Sequence, residues 1–96
     1  MRFSIIIPTL NENRNISSCV RSVIENSVFK DSERGIEIII VDGGSKDNTL
    51  KRASEFDNEI NIRIVKTGEA SLPGQLNEGA SIAKGNILVF LHADCR

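Results

Sequence analysis

This sequence has no excess of charge of either sign. Twelve Lys and Arg stand against thirteen Asp and Glu, a net charge of −1, so there is no basic surplus to draw nucleic acid and neither terminus is a charge block. Cysteine is scarce: Cys19 and Cys95 form no metal-ligand or redox spacing, and both are expected as reduced thiols in a cytoplasmic protein. No apolar run reaches the length of a bilayer span, and the opening residues 1–8, cut by Pro8, are too short for a secretory signal. Two phosphate-binding signatures are missing as well. No G-x-G-x-x-G follows the first apolar run and no G-x-x-x-x-G-K-S/T occurs. Their absence excludes the pyrophosphate turn of a dinucleotide fold and the triphosphatase loop.

What is present has the makings of one globular domain. Ninety-six residues, 40% apolar and 26% charged, suit a single unit over residues 1–96 with a real core. Residues 3–7 carry three consecutive isoleucines and stop at Pro8, which cannot donate to a sheet ladder, so the first strand is expected there. Asn11 or Asn13 is then placed to cap a helix whose inner face is Ile16, Cys19, Val20, Val23, Ile24 and Val28. A charged turn over residues 30–35 leads to a second strand at 36–41. Ser45 or Asp47 can cap a short helix bearing Leu50, Ala53 and Phe56, and residues 60–65 make a third strand nearer the sheet edge. After the loop 66–70, Ser71 and Pro73 open a helix striped by Leu76, Ala80 and Ala83, with Gly85 expected as its C-terminal cap. Residues 86–91 form an unbroken apolar run, read as a final strand buried on both faces. The alternation implies an α/β fold: a doubly wound, mainly parallel four-stranded sheet with helices on both faces.

The strand ends matter more than the strands. Thr9 to Glu12, Asp42 to Ser45 and His92 to Asp94 each follow a strand, and parallel strands point the same way, so the three acid-bearing loops share one rim. With strand order 3-2-1-4, the switch point falls between strands 1 and 4. A rim of carboxylates suits a metal-bound diphosphate better than a naked one. Each residue also has a structural alternative. Asp42 and Ser45 fit turn and cap positions, Glu12 fits a first helical turn, His92 a surface loop, and Gln75 and Asn77 exposed helix positions.

Three stretches in order, Ser4-Ile5-Ile6-Ile7-Pro8-Thr9-Leu10-Asn11-Glu12, Ile40-Val41-Asp42-Gly43-Gly44-Ser45-Lys46-Asp47-Asn48-Thr49 and Phe90-Leu91-His92-Ala93-Asp94, resemble the signatures of the family 2 glycosyltransferases, of the GT-A fold. The resemblance implies binding of a UDP- or GDP-linked sugar and its transfer with inversion. It implies nucleoside contacts from Pro8, Thr9, Leu10, Glu12, Asp42, Gly43 and Ser45, and Mn2+ or Mg2+ held by Asp94 with His92. The run Gln75 to Ala80 is similar to a family helix beneath the sugar-diphosphate, which puts Gln75, Asn77 and Ala93 on that side. Gly43 replaces a second acid common in the family, and His92 replaces the first acid of the usual metal pair. A neutral imidazole there should weaken magnesium more than manganese. The catalytic base is expected in an acceptor-binding half that these residues do not include. The alternative is a non-catalytic nucleotide-binding or assembly module, or half of a split enzyme, and the apolar edge at residues 86–91 suggests self-association.

Overall fold

The computed structural model describes residues 3–26, 36–68 and 71–93. Val28, the turn 30–35, Asp94 and Cys95 lie outside the described residues. In chain order the elements are β1 (Phe3–Thr9), α1 (Ile16–Glu25), β2 (Ile36–Asp42), α2 (Thr49–Ser54), β3 (Asn61–Lys66), α3 (Leu72–Ile82) and β4 (Ile87–Phe90). The sheet runs β3-β2-β1-β4 with every pair parallel. The order and the parallel sheet are those the alternation implied.

β1 and β2 form the centre of the sheet, and each carries a run of apolar residues covered on both faces. Ile5, Ile7, Ile38 and Ile40 face α1 and α2, packing with Ile16, Cys19, Val20, Val23, Ala53 and Phe56. Ile6, Ile39 and Val41 face α3, against Leu76, Ala80, Ile82 and Ala83. These six strand isoleucines are fully buried, and at about 2 kcal/mol each they are the largest apolar contribution to the fold. Cys19 belongs to this core, as its place on the helix face implied. Among the described residues, no helix is long and apolar enough to cross a membrane.

β4 corrects one expectation. It is an edge strand, and α3 covers β1 and β2 without reaching it, so Leu88 and Phe90 are 40% and 49% exposed. Only its other face, Val89 with Leu91 after it, packs on the core. An unbroken apolar run records what a strand can bury, not what covers it.

Three local expectations also change. β1 continues through Pro8 to Thr9. Ile6 accepts the Leu91 N–H, so Pro8, two residues on, turns its missing N–H towards β4 beyond the last registered pair, Ile6 with Phe90. Neither Asn11 nor Asn13 caps α1, whose N-cap is Asn15 without a side-chain cap bond. α3 ends at an extended Ala83 rather than a glycine cap, because Lys84 N–H donates to Glu37 and Gly85 N–H to Ser4 at 2.7 and 2.8 Å. Ser71 does cap α3, accepting from Gly74 N–H.

Glu37 is a buried carboxylate on β2. Its carboxylate accepts the Ser4 hydroxyl at 2.6 Å, the Lys84 N–H, and two guanidinium nitrogens of Arg63 at 2.8 and 3.1 Å. Burial pushes its pKa up, but the Ser4, Lys84 and Arg63 hydrogen bonds and the Arg63 charge together hold it below the ordinary glutamate range. A carboxylate lowered on folding contributes stability that is complete above its unfolded value of about 4.3 and is lost as pH falls through the folded one. Urea midpoints should therefore be level between about pH 7 and 5 and fall below about pH 4. Glu37→Gln should start lower and fall less steeply; an identical acid slope in the two proteins would assign the dependence elsewhere.

Candidate functional site

Asp42 closes β2 beside Thr9, its register partner at the end of β1. It is 1% exposed, and its two oxygens are fully engaged. Oδ1 accepts the Thr9 hydroxyl at 2.7 Å and the Ser45 hydroxyl, while Oδ2 accepts Gly44 N–H at 3.0 Å and Ser45 N–H at 2.7 Å. Burial raises its pKa, but the Ser45 hydroxyl, Ser45 N–H, Thr9 hydroxyl and Gly44 N–H outweigh it and hold the group below the usual aspartate range. The turn that delivers two N–H groups to one oxygen needs Gly44 at φ 114°, where a side chain would be strained.

The two loops are zipped together. Asn11, a non-glycine residue at φ 54°, donates its N–H to Ser45 Oγ at 2.8 Å and accepts Lys46 N–H on Oδ1 at 2.8 Å. Glu12 N–H donates to Thr49 Oγ1 at 2.8 Å and Asn13 N–H to Asp47 Oδ2 at 3.2 Å. That is why Asn11 does not cap α1: its side-chain oxygen is taken by the β2 loop, whereas Asn13 joins that loop only through its main-chain N–H and its Oδ1 is buried without a hydrogen-bond partner among the described residues. Asp47 also accepts the Thr49 N–H at 2.9 Å, but the N-cap of α2 is Asn48, without a side-chain cap bond, so neither Ser45 nor Asp47 takes the cap position.

The predicted site residues divide by exposure. Pro8, Thr9, Asp42 and Gly43 are buried, Glu12 and Ser45 are half-buried, and Leu10 is exposed. The side chains of this set that reach solvent are therefore Leu10, Glu12 and Ser45. Glu12 also starts α1, its carbonyl accepting from Asn15 and Ile16 at 2.9 Å. Across the switch point between β1 and β4, His92 is exposed and Ala93 buried, and the His92 carbonyl receives the Cys19 thiol at 3.6 Å. Asn77 is exposed, but Gln75 is not: it is 5% exposed and donates from Nε2 to Thr9 O and Val41 O.

Among the described residues, no group of three or more His, Cys, Asp or Glu side chains is gathered as a metal site. The exposed imidazole of His92 is a donor type that manganese accepts, and its companion Asp94 lies outside the described residues. An open concavity of about 360 Å³, lined by Lys66, Thr67, Ser71, Gly74 and Glu78, lies between the end of β3 and the first turn of α3. It was not foreseen, because residues 66–70 read only as a connecting loop. Its one local signal is the Thr-Gly after the strand, with Gly68 at φ 76°, and Thr67 is drawn to the rim by donating its N–H to Asp42 O at 2.9 Å.

Fold and rim together define a doubly wound α/β domain with its polar loops at the switch point between β1 and β4. The chain belongs to glycosyl transferase family 2, whose family model matches residues 4–96. It is 34% identical to a PGL/p-HBAD biosynthesis glycosyltransferase of Mycobacterium bovis over 94 residues, 96% of this chain and 35% of that protein. Among solved structures it is similar to S. aureus TarS 1-349 in complex with UDP-GlcNAc, with a TM-score of 0.87 and 25% identity, covering 98% of this chain and 27% of that one. It is also similar to the mannosyltransferase PcManGT of Pyrobaculum calidifontis in complex with GDP-Man and Mn2+, with a TM-score of 0.82 and 26% identity over 96% of this chain and 27% of that one. These neighbours share the GT-A fold. The chain thus spans between about a quarter and a third of the length of these relatives.

Proposed function

We propose that residues 1–96 are the donor-binding domain of an inverting glycosyltransferase that takes a UDP- or GDP-linked sugar. The observation that carries this reading is the convergence of the β1, β2 and β4 loops on one rim in a chain of this family. Neighbours of the same fold hold UDP-GlcNAc in one case and GDP-Man with Mn2+ in another. In this reading the nucleoside lies on Leu10, Glu12, Ser45 and the backbone of Thr9 and Gly43, and Pro8 and Asp42 support that surface from within. Asn77 and Ala93 lie towards the sugar-diphosphate, and Asp94 and His92 hold the metal. A divalent cation, when bound, neutralises the charge that develops on the diphosphate as the glycosidic bond breaks. The protein's own part is to orient the donor, and the zipped loops do this by holding the rim before ligand arrives. We read its setting as cytoplasmic, where the buried Cys19 is expected as a reduced thiol. Titration calorimetry with UDP and GDP, each with and without Mn2+, tests the assignment; absence of heat from both in every condition sinks it.

A second reading, an assembly module or half of a split enzyme, is favoured by one observation. The β3 edge is guarded by Asn61, Arg63 and Lys66, whereas β4 reads Ile-Leu-Val-Phe with no charge or proline. In this reading the protein self-associates through β4. Light scattering should give a mass that rises with concentration, and Phe90→Lys should return it to that of a monomer. A monomeric mass for the unaltered protein at every concentration would remove the idea.

A further inference from the structure

Gln75 stands in the first turn of α3, yet it is 95% buried in the sense that only 5% of its surface is exposed. Its amide nitrogen donates to two main-chain carbonyls on different strands, Thr9 O at 3.0 Å and Val41 O at 2.8 Å. Both amide hydrogens are thereby engaged. Thr9 is the last residue of β1, and Val41 immediately precedes Asp42 at the end of β2. The Thr9 carbonyl also receives Gly43 N–H at 3.0 Å, and the Thr9 hydroxyl donates to Asp42. One side chain on α3 therefore joins the points from which both rim loops depart. The helix can come this close because Gly79, one turn on, has no Cβ; one placed there would stand 2.5 Å from Ile6 Cγ2.

An amide that donates twice to carbonyls has no hydrogen left for a phosphate oxygen, and at 5% exposure the side chain offers a ligand almost no surface. We infer that Gln75 is a positioning residue of the donor site, fixing the spacing of the β1 and β2 loops and acting on ligand only through them. The inference rests on the donor-binding reading above. It assigns to the strand-end junction a residue whose motif suggested contact with the sugar-diphosphate.

The test compares the unaltered protein with Gln75→Met and Gln75→Glu. Methionine fills a similar volume and donates nothing. Glutamate sets oxygens against both carbonyls and is the variant more prone to unfold, so methionine carries the test. Calorimetric titrations use UDP, UDP-GlcNAc, GDP and GDP-Man with Mn2+ present, and amide hydrogen exchange is followed by NMR. In Gln75→Met, the N–H groups of Gly43, Gly44 and Ser45 should exchange roughly tenfold faster while those of Ile38 and Ile39 hold. Affinity should fall roughly tenfold, and equally for a nucleotide and its sugar conjugate. A loss confined to the sugar conjugate would mean that Gln75 touches the sugar, and it would overturn the inference. Unchanged affinity, whatever the exchange rates do, would overturn it while leaving the donor-binding reading intact. No nucleotide binding by the unaltered protein would end both.

Discussion

Asp42→Ala should destabilise the protein by about 3 kcal/mol in urea unfolding at neutral pH, with the slope of the transition unchanged. The change removes the acceptor of two hydroxyls and two N–H groups at once. Not all four lose equally. Gly44 is exposed and Ser45 half-buried, so water can replace the carboxylate for them, whereas the Thr9 hydroxyl is 1% exposed and stays unsatisfied. The estimate accordingly lies well below the sum of four fully buried losses. Asp42→Asn should cost about 2 kcal/mol, because its amide turns donors towards groups that themselves donate. A loss below about 1 kcal/mol for the alanine variant would mean that the β2 turn holds its shape without this strut.

Gly79→Val should lower stability further, by about 4 kcal/mol, and Gly79→Ala by about 1–2 kcal/mol. Two effects oppose each other at this position. Alanine gains about 1 kcal/mol of helix propensity over glycine. Against that, the new Cβ meets Ile6 Cγ2 at 2.5 Å and Val41 Cγ2 at 3.1 Å, and both neighbours are fully buried, branched residues of the central strands. Neither can retreat without moving its strand, so overpacking wins. For a domain of this size, each kcal/mol lowers the melting temperature by roughly 4–8 °C. A Gly79→Ala melting temperature equal to or above that of the unaltered protein would show that α3 can shift outwards freely. Such a shift would also carry Gln75 away from its carbonyls, linking this packing contact to the rim.

The strand order, the two-sided core and the position of the rim were all legible in the sequence, because each follows from local pattern: isoleucine runs, helical spacing and polar residues at strand ends. The parts that were not legible depend on partners distant in the chain. Gln75 has the composition of an exposed helix position, and only the carbonyls 66 and 34 residues earlier make it a buried junction. Asn11 has the type that caps helices, yet its bonds run 34 and 35 residues onward to the β2 loop. Gly85 follows a helix, but the chain leaves α3 extended because Ser4 and Glu37, on other strands, offer acceptors. β4 was overread for the same reason. Its hydrophobicity is local, whereas its exposure reflects a helix that covers its neighbours and not it. Among the predicted site residues, the side chains split into a supporting set and a surface set, a distinction that residue type alone does not carry: Asp42 and Ser45 stand three residues apart in one motif and differ in exposure.

The central claim is that this rim holds a nucleoside diphosphate through a divalent metal. Calorimetric titration of the protein with UDP and with GDP, each with and without Mn2+, and repeated on Asp94→Ala, tests it most directly. The account predicts binding of one nucleotide that requires the metal and disappears in Asp94→Ala. Binding that is indifferent to Mn2+ and unchanged in Asp94→Ala, or no binding of either nucleotide, would contradict it.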